Sequence, residues 1–164
     1  MIDLIFPDGS KRQYDDGVTG KAVAASIAPS LAKRAALIKL DGELYDVERP
    51  LTHGGKFEIL ARDAADALET LRHDTSHIMA EAVQELFPGT QVTIGPSIED
   101  GFYYDFARDE PFSLDDLATI EARMKEIVDS DEPIQREVWD RDEAIAHFRS
   151  IGEAYKAEII EGFP

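Results

Sequence analysis

The chain has 164 residues, 43% of them apolar and 31% charged, with no cysteine and a net charge of −17. That apolar share supports a packed core, no apolar run reaches the ~18 residues that a membrane-spanning helix needs, and the lack of cysteine excludes disulfides and thiolate metal sites. The charge is uneven: residues 1–62 hold nine Lys/Arg against nine Asp/Glu, and residues 63–164 hold eight against 25. All the excess acid therefore falls in the second part, which predicts two modules divided near Arg62–Asp66. Met1-Ile2-Asp3-Leu4 has neither the basic start nor the long apolar stretch of a signal peptide, so a soluble cytoplasmic protein is expected.

In chain order, Ile2–Phe6 reads as a strand, Pro7-Asp8-Gly9-Ser10 as a turn and Lys11–Asp15 as the returning strand. Thr19 is placed to cap a helix over Gly20–Ala28, which Pro29 ends. Ala35–Leu40 and Glu43–Val47 form a second hairpin around Asp41-Gly42, and Lys56–Leu60 is a last strand after Gly54-Gly55. Hairpin, helix, hairpin and strand within some sixty residues is a β-grasp order, as in ubiquitin-like modules.

Asp63–Phe87 reads as one long helix stopped by Pro88-Gly89. Set on a wheel at about 100° per residue with Leu71 at zero, its apolar residues (Leu68, Leu71, Ile78, Met79, Ala82, Val83, Leu86) fall between about 340° and 120°, whereas His73 and His77 fall near 200° and 240°. Val92–Ile94 and Gly101–Phe106 read as strands flanking the turn Gly95-Pro96. Ser113 and Asp116 form a capping box for a helix over Leu114–Asp129, with Leu117, Ile120, Met124 and Ile127 on one stripe. Pro133–Trp139 reads as a strand, Asp140 with Glu143 caps a helix through Ser150, and Glu153–Glu161 makes a short helix after Gly152. The second part is thus mixed, and the fold class is α+β.

Three segments carry chemistry. In Leu71-Arg72-His73-Asp74-Thr75-Ser76-His77, two of the four histidines stand four residues apart, so both imidazoles share a helix face. The wheel turns them away from the main apolar stripe. Histidine titrates near neutral pH, so the pair suits proton transfer or half of a metal site. Asp74 stands where a zinc-protease helix carries glutamate, and two histidines do not complete a tetrahedral zinc site. The second segment runs from Gly95 and Pro96 to Gly101-Phe102-Tyr103-Tyr104-Asp105-Phe106, where alternation puts Phe102, Tyr104 and Phe106 on one strand face. That face is either a half-buried aromatic surface or a wall for a planar or hydroxylated ligand. In the third segment, Tyr155-Lys156-Ala157-Glu158, Lys156 is the only lysine after Lys125. It is either a solvated surface charge or, if it converges on the histidines, a holder of phosphate, ribose oxygen or a developing oxyanion. His53 and His147 have no such context.

Taken together, these segments resemble the bacterial threonyl-tRNA synthetase family from the first residue onward and over all 164 residues. The β-grasp part resembles that family's TGS module (1–62). The histidine helix, Ile94-Gly95-Pro96 with Asp100–Phe106, and Tyr155-Lys156 with Glu158 resemble three successive motifs of its editing domain (63–164). The resemblance implies an enzyme that attaches threonine to tRNA(Thr) with ATP and hydrolyses mischarged seryl-tRNA(Thr) in a separate site. Such a site is needed because one missing methylene-sized group supports only about 10–200-fold discrimination. It implies editing roles for His73, His77 and Lys156, and a substrate-lining role for Tyr104, Gly95 and Pro96. His73 and His77 are also possible metal ligands, since related alanyl editing domains carry zinc on a similar set. ATP, magnesium and zinc belong to the full-length enzyme, with none expected here. The parent is expected to be a homodimer and this part a monomer, with no membrane partner.

The family completes its editing site with a Cys-x-x-x-His segment, and this chain has no cysteine. The expectation is therefore a piece of a longer protein that neither aminoacylates nor edits by itself. The alternative is a non-catalytic TGS module that binds RNA or a nucleotide, followed by a spacer domain. For RNA contact the candidates are Lys11, Arg12, Lys33 and Arg34.

Overall fold

Residues 1–163 are described by a computed structural model, which divides into two compact units, Met1–Thr70 and a second beginning at Leu71. In the first unit, β1 (Ile2–Ile5) pairs antiparallel with β2 (Lys11–Tyr14) around the Pro7–Ser10 turn. Thr19 accepts from the Ala22 amide and caps α1 (Gly20–Ile27), as its sequence position predicts. Pro29 does more than end that helix. It opens a second one, α2 (Pro29–Arg34), because its fixed φ and missing N–H suit a first helical position. β3 (Ala35–Leu40) and β4 (Glu43–Asp46) form the second hairpin, and β5 (Gly55–Ala61) pairs parallel with β1 and antiparallel with β3. The sheet order is β2-β1-β5-β3-β4, the expected β-grasp.

This unit closes over Leu4, Val23, Ile38, Leu40, Leu51 and Phe57, all buried. Gly20 has no room for a side chain, because a Cβ there would lie 2.5 Å from the Ile38 methyl. Alternation along β3 and β5 puts Ile38, Leu40 and Phe57 inward. Leu37 and Leu60 form a smaller cluster with Ala67.

Ala67 belongs to α3 (Ala65–Leu86), whose first turns lie in the first unit and the remainder in the second. The predicted apolar stripe of this helix is buried only in part: Leu68 and Leu71 are 46% and 39% exposed, and small Ala67 makes the contact at that end. Farther along, Ala82 and Val83 pack with Ile120, joined by Met79, Leu86, Phe87, Phe106 and Phe112.

β6 (Gln91–Val92) and β9 (Phe106–Ala107) pair with each other, as do β7 (Ser97–Ile98) and β8 (Gly101–Phe102). The continuous strand expected over Gly101–Phe106 is therefore interrupted. Its two ends serve different partners, leaving Tyr103–Asp105 between them. α4 (Leu114–Ser130) begins at the predicted reciprocal capping box of Ser113 and Asp116, although Leu117 of its expected stripe is 56% exposed. Pro133–Trp139 is not a strand: it has no ladder partner among the described residues and is exposed throughout. α5 (Arg141–Ser150) is capped by the Asp140 side chain, and α6 (Ala154–Glu161) follows Gly152.

Because Phe57 is 1% exposed in the centre of the first core, Phe57→Ala should cost about 3–5 kcal/mol of that unit's stability. Denaturant unfolding of the variant measures this; a loss below about 1 kcal/mol would contradict the packing described.

Candidate active site

The second unit gathers its polar chemistry on one face of α3. His73 and His77, one turn apart, bring their Nε2 atoms to 3.0 Å with the rings nearly perpendicular. At that distance one ring donates an N–H and the other accepts it, so the pair holds at most one extra proton without opposing two donors. Both side chains are exposed, as the wheel placed them.

Between them Ser76 points the other way and is wholly buried, with its hydroxyl 2.7 Å from the His73 carbonyl and 2.9 Å from the Gly95 carbonyl. It fastens the Gly95 loop to the helix. One turn earlier, Arg72 donates to the Glu99 carbonyl at 2.6 Å and holds the β7–β8 hairpin to the same helix. The loop then meets Tyr104 closely: a Cβ at Gly95 would lie 2.0 Å from the Tyr104 ring. Thr93 and Ile94 exchange backbone bonds with Asp105, which fixes Tyr104 in the gap between β8 and β9. Tyr104 stacks on Phe106 with ring centres 5.0 Å apart and presents its other neighbour, His77, at 6.3 Å.

An open cleft of about 440 Å³ lies beside these rings, lined by His77, Ala80, Glu81, Gln84, Glu85, Tyr104 and Lys156. The three sequence segments thus converge on it. His73 reaches it through His77, Gly95 backs the Tyr104 ring, and Pro96 is half-buried but not part of the lining. Lys156, on α6, is half-buried with its ammonium 5.7 Å from the Phe148 ring centre. Partial desolvation by its neighbours lowers the His77 pKa below 6.5, and the nearby positive charges of His73 and Lys156 lower it further. Burial raises the Tyr104 phenol above 10.0, with Glu153 adding to the effect.

Two contributors lacked a sequence signal strong enough to single them out. Gln84 is seven residues beyond His77, so it shares that helix face. Glu153 stands three residues before Lys156 and accepts a hydrogen bond from Gln84. Helical spacing from the histidine pair would have found Gln84; nothing local marks Glu153. A metal on His73 and His77 would need a further protein donor, and among the described residues no three His, Cys, Asp or Glu side chains are grouped to hold one. Within this segment the two rings are arranged as a hydrogen-bonded acid–base pair.

In the first unit the basic candidates lie on two elements. Lys11 pairs with Asp3 at 2.8 Å, Arg12 sits over Phe6, and Arg34 is 3.9 Å from Asp63. Lys33 is exposed in the last turn of α2.

Residues 2–61 match the model of the TGS domain family. Over all 164 residues the chain is 74% identical to the threonine–tRNA ligase of Phenylobacterium zucineum (strain HLK1), covering all of this chain and 25% of that protein. It is 70% identical over 169 positions to the threonine–tRNA ligase of Caulobacter vibrioides (strain NA1000 / CB15N), and 59% identical over 164 to that of Parvibaculum lavamentivorans. Over its whole length the chain is similar to one part of the threonine–tRNA ligases. It spans about a quarter of the length of the curated relatives it matches. No helix among the described residues is long and apolar enough to cross a membrane.

The His77 imidazole should titrate below 6.5. The sign follows: in the unfolded chain this ring takes its proton first, so its contribution to stability is complete above about 6.5 and is lost as pH falls through the lowered value. Ring-nitrogen NMR across pH 4–8 reads the midpoint, and Lys156→Ala should move it upward. A His77 midpoint at or above the free-imidazole value would contradict the geometry.

Proposed function

We propose that the cleft of the second unit is part of the editing site of a threonine–tRNA ligase, where the seryl ester of tRNA(Thr) is hydrolysed. Residues 63–164 would then be the first part of the editing domain. The whole enzyme would attach threonine to tRNA(Thr) with ATP, using magnesium and zinc in regions beyond this segment. What carries the reading is the meeting of the histidine pair, Tyr104 and Lys156, from three separate segments, at one open cleft.

Hydrolysis of an aminoacyl ester needs water to attack the carbonyl carbon, a group to take the water's proton, and positive or donor groups for the oxygen that gains charge. With His77 neutral and donating its Nε2–H to His73, its Nδ1 is free to accept that proton. The Lys156 ammonium supplies charge for the oxyanion. Tyr104, kept as the phenol, offers an O–H and an aromatic wall. As the tetrahedral intermediate collapses, the carbon–oxygen bond to the ribose breaks and the ribose oxygen takes a proton from the imidazolium. Serine and free tRNA leave.

In the full-length enzyme, His77→Ala and Lys156→Ala should each slow seryl-tRNA hydrolysis by about 10²–10⁴-fold, while threonine charging continues. Single-turnover deacylation measures this. Hydrolysis at the parental rate in both variants would remove the reading.

A second reading concerns the first unit alone. Its balanced charge makes it the better RNA neighbour of the two, and TGS membership supports RNA contact. Lys33→Ala/Arg34→Ala should weaken tRNA binding and flatten its salt dependence. Unchanged affinity between 50 and 200 mM salt, the range over which phosphate contacts normally show, would clear these residues of the role.

A further inference from the structure

Arg108 directly follows β9 and carries a guanidinium that the fold holds in place without satisfying it. Its Cζ lies 4.5 Å from the ring centres of both Phe87 and Phe112, which meet each other edge to face at 5.5 Å. Phe87 follows α3, Phe112 precedes the cap of α4, and both rings pack on the core around Ala82, Val83 and Ile120. The cation is thus positioned by packing and by attraction to two ring faces. Rings of this kind give its five N–H groups no ordinary acceptor. Among the described residues Arg108 makes no hydrogen bond and no ion pair, and its Nη1 is buried without a partner. Acids are at hand and go unused. Asp109 and Glu110 come next in the chain, both exposed, and neither side chain has a hydrogen bond or ion pair among the described residues. Asp116 feels the charge of Arg108, but its carboxylate accepts from the Ser113 amide at 2.7 Å and hydroxyl at 2.9 Å.

Arg108, Asp109 and Glu110 line one open cleft of about 780 Å³, together with buried Thr90, Gln91 and Tyr155. It shares no lining residue with the histidine cleft. The charges define what it takes. A guanidinium with unused donors receives an oxyanion in its planar fork. Two carboxylates beside it oppose any further negative charge and favour a cation. Consecutive Cα atoms are only about 3.8 Å apart, so the ligand's two charges must lie within a few bonds of each other. A nucleic-acid strand repeats one sign of charge and does not meet that condition. An amino acid does, with carboxylate and ammonium on one carbon. We propose that this cleft is a binding site for a free α-amino acid, its carboxylate on Arg108 and its ammonium on Asp109 and Glu110. The site is independent of the ester-hydrolase reading and uses none of its residues.

Phenylglyoxal, which modifies arginine side chains, tests this on the full-length protein. Labelling is read at Arg108 by peptide mass spectrometry, relative to exposed Arg136 in the same sample, so ligand bound elsewhere and reagent consumed in solution do not enter the signal. The probes are L-alanine, propionate and ethylamine, which carry both charges, the carboxylate alone and the ammonium alone. Alanine should protect Arg108 at a concentration about tenfold below that needed for propionate, the scale of a hydrogen bond to a charged group, and ethylamine should give no protection. Asp109→Asn/Glu110→Gln should bring alanine and propionate to the same half-effect concentration. Equal protection by alanine and propionate in the parent protein would reduce the cleft to an unselective anion pocket and overturn the proposal. So would an alanine preference that survives the double substitution, or no protection by any probe. An Arg108 that resists labelling in the ligand-free protein would show the cleft covered in the whole molecule and overturn it as well.

Discussion

The second unit depends on one buried hydroxyl. Serine is a modest helix former, because its side chain competes for backbone partners, yet Ser76 sits in the middle of a 22-residue helix with no exposure. Its oxygen lies between the carbonyl one turn back and the carbonyl of Gly95. The second contact joins the helix to the loop that meets the Tyr104 ring. Without it the half-buried Gly95 carbonyl would lose this partner on the helix. The consequences run outward. Gly95, held at that distance, must lack a side chain because the Tyr104 ring occupies the space. Tyr104 in turn stacks on Phe106, which belongs to the core around Ala82, Val83 and Ile120. The histidines therefore face a wall anchored to the interior, although they are themselves exposed.

Local signals made most of the first unit legible in the sequence. Turn chemistry at Pro7–Ser10 and Asp41-Gly42, a threonine cap and alternating strands agree with one another there, and agreement across levels is what specifies a fold. Pro29 carries two meanings, helix stop and helix start, and only the backbone after it decides between them. In the second unit, the caps of α4 and α5 were readable because capping is local. Strands were less so. Whether Gly101–Phe106 is one strand or two depends on which partners lie alongside, and Pro133–Trp139 has strand composition with nothing to pair with among the described residues. Strand preference measures fit to a surface that other segments supply.

The site divides along the same line. The i, i+4 spacing of His73 and His77 fixes their shared face whatever surrounds the helix, so the pair was visible from the start. Lys156 and Tyr104 are distant in sequence, and no periodicity brings them to the histidines; only the resemblance did. Gln84 and Glu153 were missed for a different reason. A glutamine and a glutamate in an acidic module look like solvated surface, and only the hydrogen bond between them sets them apart. The exposure of Leu68 and Leu71 shows the converse limit: a wheel gives the face of a helix but not how far along it a neighbour extends.

Charge explains why such a cleft must work by contact and not by attraction at long range. The second module carries 25 acidic residues against eight basic ones, so its field opposes a polyphosphate chain, and surface charges beyond about 8 Å are screened at physiological salt. Against that background one half-buried lysine beside a histidine pair is a local inversion of sign, effective over the length of one small group. Positive charge that is scarce and held in a packed setting discriminates by position. A ligand whose backbone is bound elsewhere, and whose reactive end alone enters the cleft, suits that arrangement better than one gripped along its length. The balanced charge of the first unit removes the matching objection there.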